Sequence, residues 1–294
     1  MIAAPFEYEA PTTVDEVIRL LSRLGDRGRV LAGGHSLIPI MKLRLAQPEV
    51  LVDIGRIGAL RYVRPENGRL AIGALTTHAQ VASDPTIREQ CAVLAETAGL
   101  IGDAQVRNRG TIGGSLAHAD PAADYPATIL ALDAEIVAQG PQGRRTIRAT
   151  EFFTGLLTTA LAPDELLVEV RVPQLGPGGT PGSAAGGAYR KLPNKASHYA
   201  VVGVAAVVRL DGGGIASAGV GITGAGSQPV RAAAVERALV GQAPSAEAIA
   251  RAAEAAAEGL DLLGDVHGSA AYRAAMACVY TRRALQEALR RAGG

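Results

Sequence analysis

The stretch Gln105-Val106-Arg107-Asn108-Arg109-Gly110-Thr111-Ile112-Gly113-Gly114-Ser115-Leu116 decides how this chain is read. Adjacent glycines followed by a hydroxyl residue make a turn whose backbone N–H groups converge with no side chain in the way, an arrangement suited to phosphate. Upstream, Val30-Leu31-Ala32-Gly33-Gly34-His35-Ser36-Leu37 repeats the combination. For either turn alone the plainer reading is a tight strand-to-helix connection with a helix cap. Two of them, far apart in sequence, point to one elongated ligand held at two places, such as the pyrophosphate of a dinucleotide. Neither is the GxGxxG pattern, which disfavours a nicotinamide site on a doubly wound sheet. Arg107 and Arg109 flank the second turn and suit a phosphate. Asp120 and Asp124 follow in Ala119-Asp120-Pro121-Ala122-Ala123-Asp124, where a carboxylate can accept hydrogen bonds from ribose or ribityl hydroxyls; helix capping and loop solvation are the alternative roles for both.

Composition narrows the classes. At 294 residues, 48% apolar and 19% charged, the chain is an ordinary globular sequence with room for more than one domain. A net charge of +1 gives no footprint for nucleic acid or an anionic membrane surface. No apolar run is long enough for a bilayer span, and Met1 to Glu9 lacks the basic-then-apolar pattern of a signal peptide, so a cytoplasmic location is expected. Two cysteines, Cys91 and Cys278, are too few for an ordinary iron–sulfur cluster, which takes four. The absence of Trp argues against a base-stacking platform. The five histidines share no metal-ligand spacing. His118 lies near the second turn; His78, His198 and His267 read as surface or capping residues.

Along the chain, Thr13-Val14-Asp15-Glu16 fits a capping box, with Val14, Val17, Ile18 and Leu21 at helical spacing behind it. A strand at Arg29 to Ala32 runs into the first glycine turn, Ser36 caps a helix over Leu37 to Ala46, and Val50 to Ile54 is a second strand: a β–α–β opening. Pro65-Glu66-Asn67-Gly68 reads as a hairpin turn. Helices are expected over Thr77 to Ala82 and Cys91 to Leu100. A second hairpin surrounds Gly140 to Gly143, and Glu165 to Val172 alternates as a half-buried strand. Gly176 to Gly182 is the best linker. Beyond it come a hairpin of Val201 to Leu210 and Ile215 to Ile222, then helices over Ala232 to Leu239, Ala246 to Gly259 and Ser269 to Arg290. The class is α+β, with a larger N-terminal and a smaller C-terminal domain.

The order Ala32-Gly33-Gly34-His35-Ser36-Leu37, the 105–116 stretch and Pro121-Ala122-Ala123-Asp124 together resemble the FAD-binding subunits of molybdenum hydroxylases, of the carbon monoxide dehydrogenase and xanthine dehydrogenase type. The resemblance continues through Thr159 to Leu167, Tyr189-Arg190-Lys191-Leu192 and Tyr272-Arg273, and so covers nearly the whole chain. It implies a two-subdomain FAD domain of the vanillyl-alcohol-oxidase (PCMH) type over 1–175, with subdomains of about 1–57 and 58–175, and a C-terminal domain of antiparallel sheet plus helices over 183–294. By position, Ala32, Gly33, Gly34, His35, Ser36 and Leu37, with Thr111, Gly113, Gly114 and Ser115, are expected to hold the FAD pyrophosphate. Asp124 is expected to bind FAD hydroxyls, and Ile101, Leu167 and Lys191 to make further FAD contacts. Many relatives carry asparagine where Ser115 stands.

The resemblance also implies partners: an iron–sulfur small subunit and a molybdopterin large subunit, as a dimer of heterotrimers, with the molybdenum cofactor and 2Fe-2S clusters on those chains alone. FAD is then non-covalent, and no catalytic residue is assigned here. A self-sufficient flavin oxidase with covalent attachment at His35 is the alternative. A flavin-free assembly or nucleotide-binding module is a third reading, disfavoured by two intact glycine turns.

Overall fold

The computed structural model describes residues 2–176 and 184–293. Its first sheet is parallel, in the order β1-β3-β2, from β1 (Glu7–Glu9), β2 (Gly28–Leu31) and β3 (Val50–Asp53). Helix α1 (Val14–Leu24) crosses between β1 and β2 and starts at the expected capping box, Thr13 with Glu16. Its apolar stripe, Val17, Ile18, Leu21 and Leu24, buries against Val50, Val52 and Ile54. After β2 the chain makes the first glycine turn and enters α2 (Leu37–Lys42). That helix is shorter than expected. Arg44 adopts φ 58°, a left-handed conformation that ends the helical run before Ala46.

The second sheet has the order β4-β5-β10-β6-β7. β4 (Val63–Glu66) and β5 (Arg69–Gly73) form the expected hairpin, with positive φ at Asn67 and Gly68 as a primed turn requires. β6 (Glu135–Gly140) and β7 (Gly143–Arg148) form the other. Between β5 and β6 lies a run of short helices: α3 (His78–Ser83), α4 (Pro85–Gln90), α5 (Ala92–Gly99), α6 (Ala104–Arg109), α7 (Ile112–His118) and α8 (Tyr125–Ala131). Then α9 (Ala149–Phe152) and a small ribbon of β8 (Phe153–Gly155) and β9 (Thr158–Thr159) lead into β10 (Leu166–Pro173), the central strand. Leu70, Ile72, Ile136 and Val170 of the sheet pack with Val81, Leu94, Ile112 and Ile129 of the helices. Val137, Leu166 and Val168 join the α1 cluster instead, so the first unit docks on the second sheet.

The third sheet is antiparallel, β11 (Ala184–Pro193), β12 (Ala200–Asp211), β13 (Gly214–Thr223) and β14 (Val230–Arg231). The hairpin expected over 201–222 is its centre. Along β12, Val202, Val204, Ala206 and Val208 face α10 (Ala233–Leu239), α11 (Ala246–Ala253) and the long α12 (Ala270–Arg291). Ala205 and Val207 face the other way, into the core of the second sheet and its helices. The sheet is therefore buried on both sides. The helix expected over 246–259 is α-helical only to Ala253 and tightens to a 3₁₀ turn at Glu254–Ala257. Beyond Gly176, the expected linker lies outside the described residues.

Candidate functional site

The two glycine turns meet. A Cβ on Gly33 would lie 2.7 Å from the Arg109 carbonyl carbon and 2.7 Å from Gly110 Cα, so only glycine lets the end of β2 rest on the backbone entering α7. A Cβ on Gly114 would stand 3.7 Å from Ala32 Cβ. Between the turns opens a cleft of ≈ 570 Å³, within the range of small-molecule and cofactor sites. Its walls include Ala32, Gly33, Gly34, His35, Ser36, Leu37, Ile101, Thr111, Gly113, Gly114, Ser115, Asp124 and Leu167. Residues that are far apart in sequence thus share one wall.

The turns are not equivalent. Among the described residues, the amides of Gly33, Gly34, His35 and Ser36 have no acceptor within the chain. Gly34, at φ 79°, supplies the left-handed residue that an anion-binding turn of successive amides uses. In the second turn the amides are already engaged: Ile112 donates to Thr76 O, Gly113 to Ala74 O, Ser115 to Thr111 O, and Gly114 to the Thr111 hydroxyl. Here the glycines serve close approach, Gly113 against Ala74 and Gly110 against the His78 ring. Ser36 does not cap α2 through its side chain, because its backbone is already αR at φ −102°, ψ −52° rather than extended.

Three charged residues depart from expectation. Arg107 does not line the cleft; its guanidinium donates to Ile101 O at 2.9 Å and Gly102 O at 3.2 Å, bracing the turn before α6. Arg109 is exposed and does not line the cleft, while its carbonyl packs against Gly33. Lys191 stands behind the wall instead of reaching into the cleft. Its ammonium donates to Leu100 O at 2.7 Å and His198 O at 2.8 Å and pairs with Asp124 at 2.9 Å, which satisfies all three protons. Asp124 does line the cleft, but its carboxylate is engaged by Lys191 and by the Tyr189 hydroxyl at 2.6 Å. Burial pushes its pKa up, and Lys191 and Tyr189 oppose that shift. Asp120 also lines the cleft, with one oxygen accepting from the Ala122 amide.

Other cleft residues carried no decisive sequence signal. His78, expected at the surface or in a cap, is only 4% exposed and packs edge-on to Tyr125 at 5.3 Å. Burial first, then His35 and Arg107, lower its pKa to about 4, so it is neutral at pH 7. Among the described residues its Nδ1 has no hydrogen-bond partner. His118 lines the cleft, as its place beside the second turn suggested. Ser197, His198 and Tyr199, from the β11–β12 connection, close one side, and burial raises the Tyr199 phenol. A lone tyrosine in a loop gives no motif, so only the fold reveals these.

A glycine-walled cleft of this size with a run of open amides fits a dinucleotide-type cofactor, and the comparisons with known proteins agree. Residues 4–175 match the family described as the FAD binding domain in molybdopterin dehydrogenase, and residues 187–288 the CO dehydrogenase flavoprotein C-terminal domain. The chain is 43% identical to the carbon monoxide dehydrogenase medium chain of Hydrogenophaga pseudoflava over 98% of both chains. It is 42% identical to the alpha subunit of the 6-hydroxypseudooxynicotine dehydrogenase complex of Paenarthrobacter nicotinovorans, over 98% of this chain and 95% of that one. Its fold superposes, at a TM-score of 0.94 and 45% identity over 99% of both chains, on a chain of H. pseudoflava carbon monoxide dehydrogenase crystallised without the Mo-pyranopterin moiety.

Proposed function

Because the chain belongs to the FAD-binding medium subunits of the molybdenum hydroxylases, an oxidoreductase family, we propose that it carries one non-covalent FAD in the cleft between its glycine turns and passes electrons from a partner's iron–sulfur clusters to an external acceptor. The observation that carries this reading is the seating of Gly33 on Arg109 and Gly110, which packs the turn with the four open amides of residues 33–36 against the second turn. These amides suit the pyrophosphate, with Ala32 and Leu37 flanking them; Thr111, Gly113, Gly114 and Ser115 give the close opposing wall. Ile101 and Leu167 add apolar wall, and Asp124 a carboxylate edge held by Lys191. Bound there, FAD supplies a ring system that accepts and releases electrons. The chain's own residues bind it, orient it and limit its exposure; none is proposed as a general acid or base.

In this reading 1–175 is the FAD-binding part, with subdomains of about 1–57 and 58–175, and 183–294 the C-terminal part. The partners are an iron–sulfur small subunit and a molybdopterin large subunit, assembled as a dimer of heterotrimers in the cytoplasm. Among the described residues no helix is long and apolar enough to cross a membrane. Relatives at 43% and 42% identity are subunits of dehydrogenases named for substrates as different as carbon monoxide and 6-hydroxypseudooxynicotine, which supports placing substrate choice on another subunit. The His35-linked oxidase finds no support among these relatives. Acid precipitation of the purified yellow protein separates the readings. Flavin released to the supernatant, with iron–sulfur and molybdenum chains co-purifying, is the expected result; flavin retained on the pellet and substrate turnover by the chain alone would overturn it.

A further inference from the structure

We infer that Thr223 and Arg273 of the C-terminal domain, outside the cleft, position one of its walls by fixing the segment Pro121–Asp124 that leads the chain from α7 to α8. This rests on the FAD reading of the cleft. Ala123 and Asp124 line the cleft beside the second glycine turn. Every carbonyl of residues 121–123 accepts from the C-terminal domain. The Thr223 hydroxyl stands 2.7 Å from Pro121 O and 2.8 Å from Ala123 O, sharing its one proton between them. The Gly224 amide donates to Pro121 O at 2.7 Å, and the Ala200 amide to Ala122 O at 3.0 Å. The Asp124 carboxylate accepts from Tyr189 and Lys191 of β11. Strands β11, β12 and β13 all contribute.

A second tier holds the donors. Arg273 of α12, 5% exposed, donates from Nη1 to Val201 O at 2.7 Å and Gly224 O at 2.6 Å, while its Nη2 pairs with Asp265. Among the described residues its buried Nε has no partner, so the fixing is done by Nη1, which braces the strand start and turn that present the Ala200 and Gly224 amides. Thr223 and Arg273 do not line the cleft, so they are positioning residues. The wall of the cleft is thereby registered to the third sheet, and a shift of that sheet moves the segment that faces the cofactor.

The test uses the full chain, stripped of flavin and titrated with FAD, following affinity and the visible circular dichroism of the bound flavin. Thr223→Val keeps the shape and removes the proton; we expect FAD to bind roughly five- to ten-fold more weakly with an altered dichroic band. Thr223→Ser is expected to restore both, which a loss of packing alone would not do. Tyr189→Phe removes only the phenolic donor to Asp124 and is expected to shift the same two readings, so it carries the test where Thr223→Val does not fold. Wild-type protein that takes up no FAD overturns the cofactor assignment and this inference with it. Wild-type affinity and dichroism in the folded variants overturn the inference alone.

Discussion

Gly33 and Gly114 resemble each other in sequence and differ in what they permit. At Gly33 the obstacle to a side chain is the backbone of Arg109 and Gly110; at Gly114 it is the Thr111 hydroxyl at 2.8 Å, which can rotate. Gly114→Val is therefore expected to fold and to project its methyls into the cleft, losing most FAD; normal flavin absorbance after purification would remove Gly114 from the site. His78 gives a pH dependence. Its folded pKa of about 4 lies below the 6.5 of an exposed imidazole, so the unfolded chain takes up the extra proton first. Stability from this residue is full above about pH 6.5 and falls as pH drops toward 4, by on the order of 3 kcal/mol over the whole window. Urea unfolding at pH 7.5 and 5 should show that slope in the wild type and lose it in His78→Gln. At this scale the sequence located the turns but not the partners. Arg107 suits a phosphate in the sequence, but the fold places the Ile101 and Gly102 carbonyls beside it; Lys191, expected as a further FAD contact, has Asp124 opposite its ammonium. Pairings across such sequence distances leave no local pattern.

Elements whose cause is local were legible. The capping box at Thr13–Glu16 begins α1, the helix expected from Thr77 is α3, which the structure starts with a capping box of its own, and Asn67-Gly68 makes its hairpin. Strand β11 was not legible, because Ala184 to Ala188 is all alanine and glycine with no alternation. Its glycines answer to tertiary packing: a Cβ on Gly186 would lie 2.9 Å from the Arg291 carbonyl carbon of α12. On β13, Gly219 and Gly221 admit the carbonyls of Ala131 and Ala127, so that α8 lies directly on the third sheet. Gly221→Ala would bring a Cβ within 2.8 Å of the Ala127 carbonyl carbon. It is expected to destabilise the chain by about 1–3 kcal/mol in urea unfolding. Gly99→Ala, at the end of α5 with nothing within 4 Å, serves as the contrast. It should be neutral or stabilising by about 0.5–1 kcal/mol. Equal effects of the two substitutions would contradict the close approach of α8.

Among the described residues, three larger sheets of different character pack through three hydrophobic clusters, and Ala205 and Val207 of β12 enter the core of the second sheet. The α+β class and the two-part order were readable from hairpins, glycine turns and the alanine-rich helices at the end. The shared core was not, because a strand buried on both faces shows no alternation. This architecture makes the cleft a property of the full chain, to which β2, α7 and the β11–β12 connection each contribute a side. The central claim is that the two glycine turns form one clamp on one FAD, and equilibrium titration of flavin-free protein with FAD tests it most directly. The wild type is expected to saturate at one FAD per chain. Gly33→Ala, whose Cβ pushes the turns apart, is expected to bind at least ten-fold more weakly while keeping a cooperative melt. Unaltered affinity and stoichiometry in a folded Gly33→Ala would contradict the clamp.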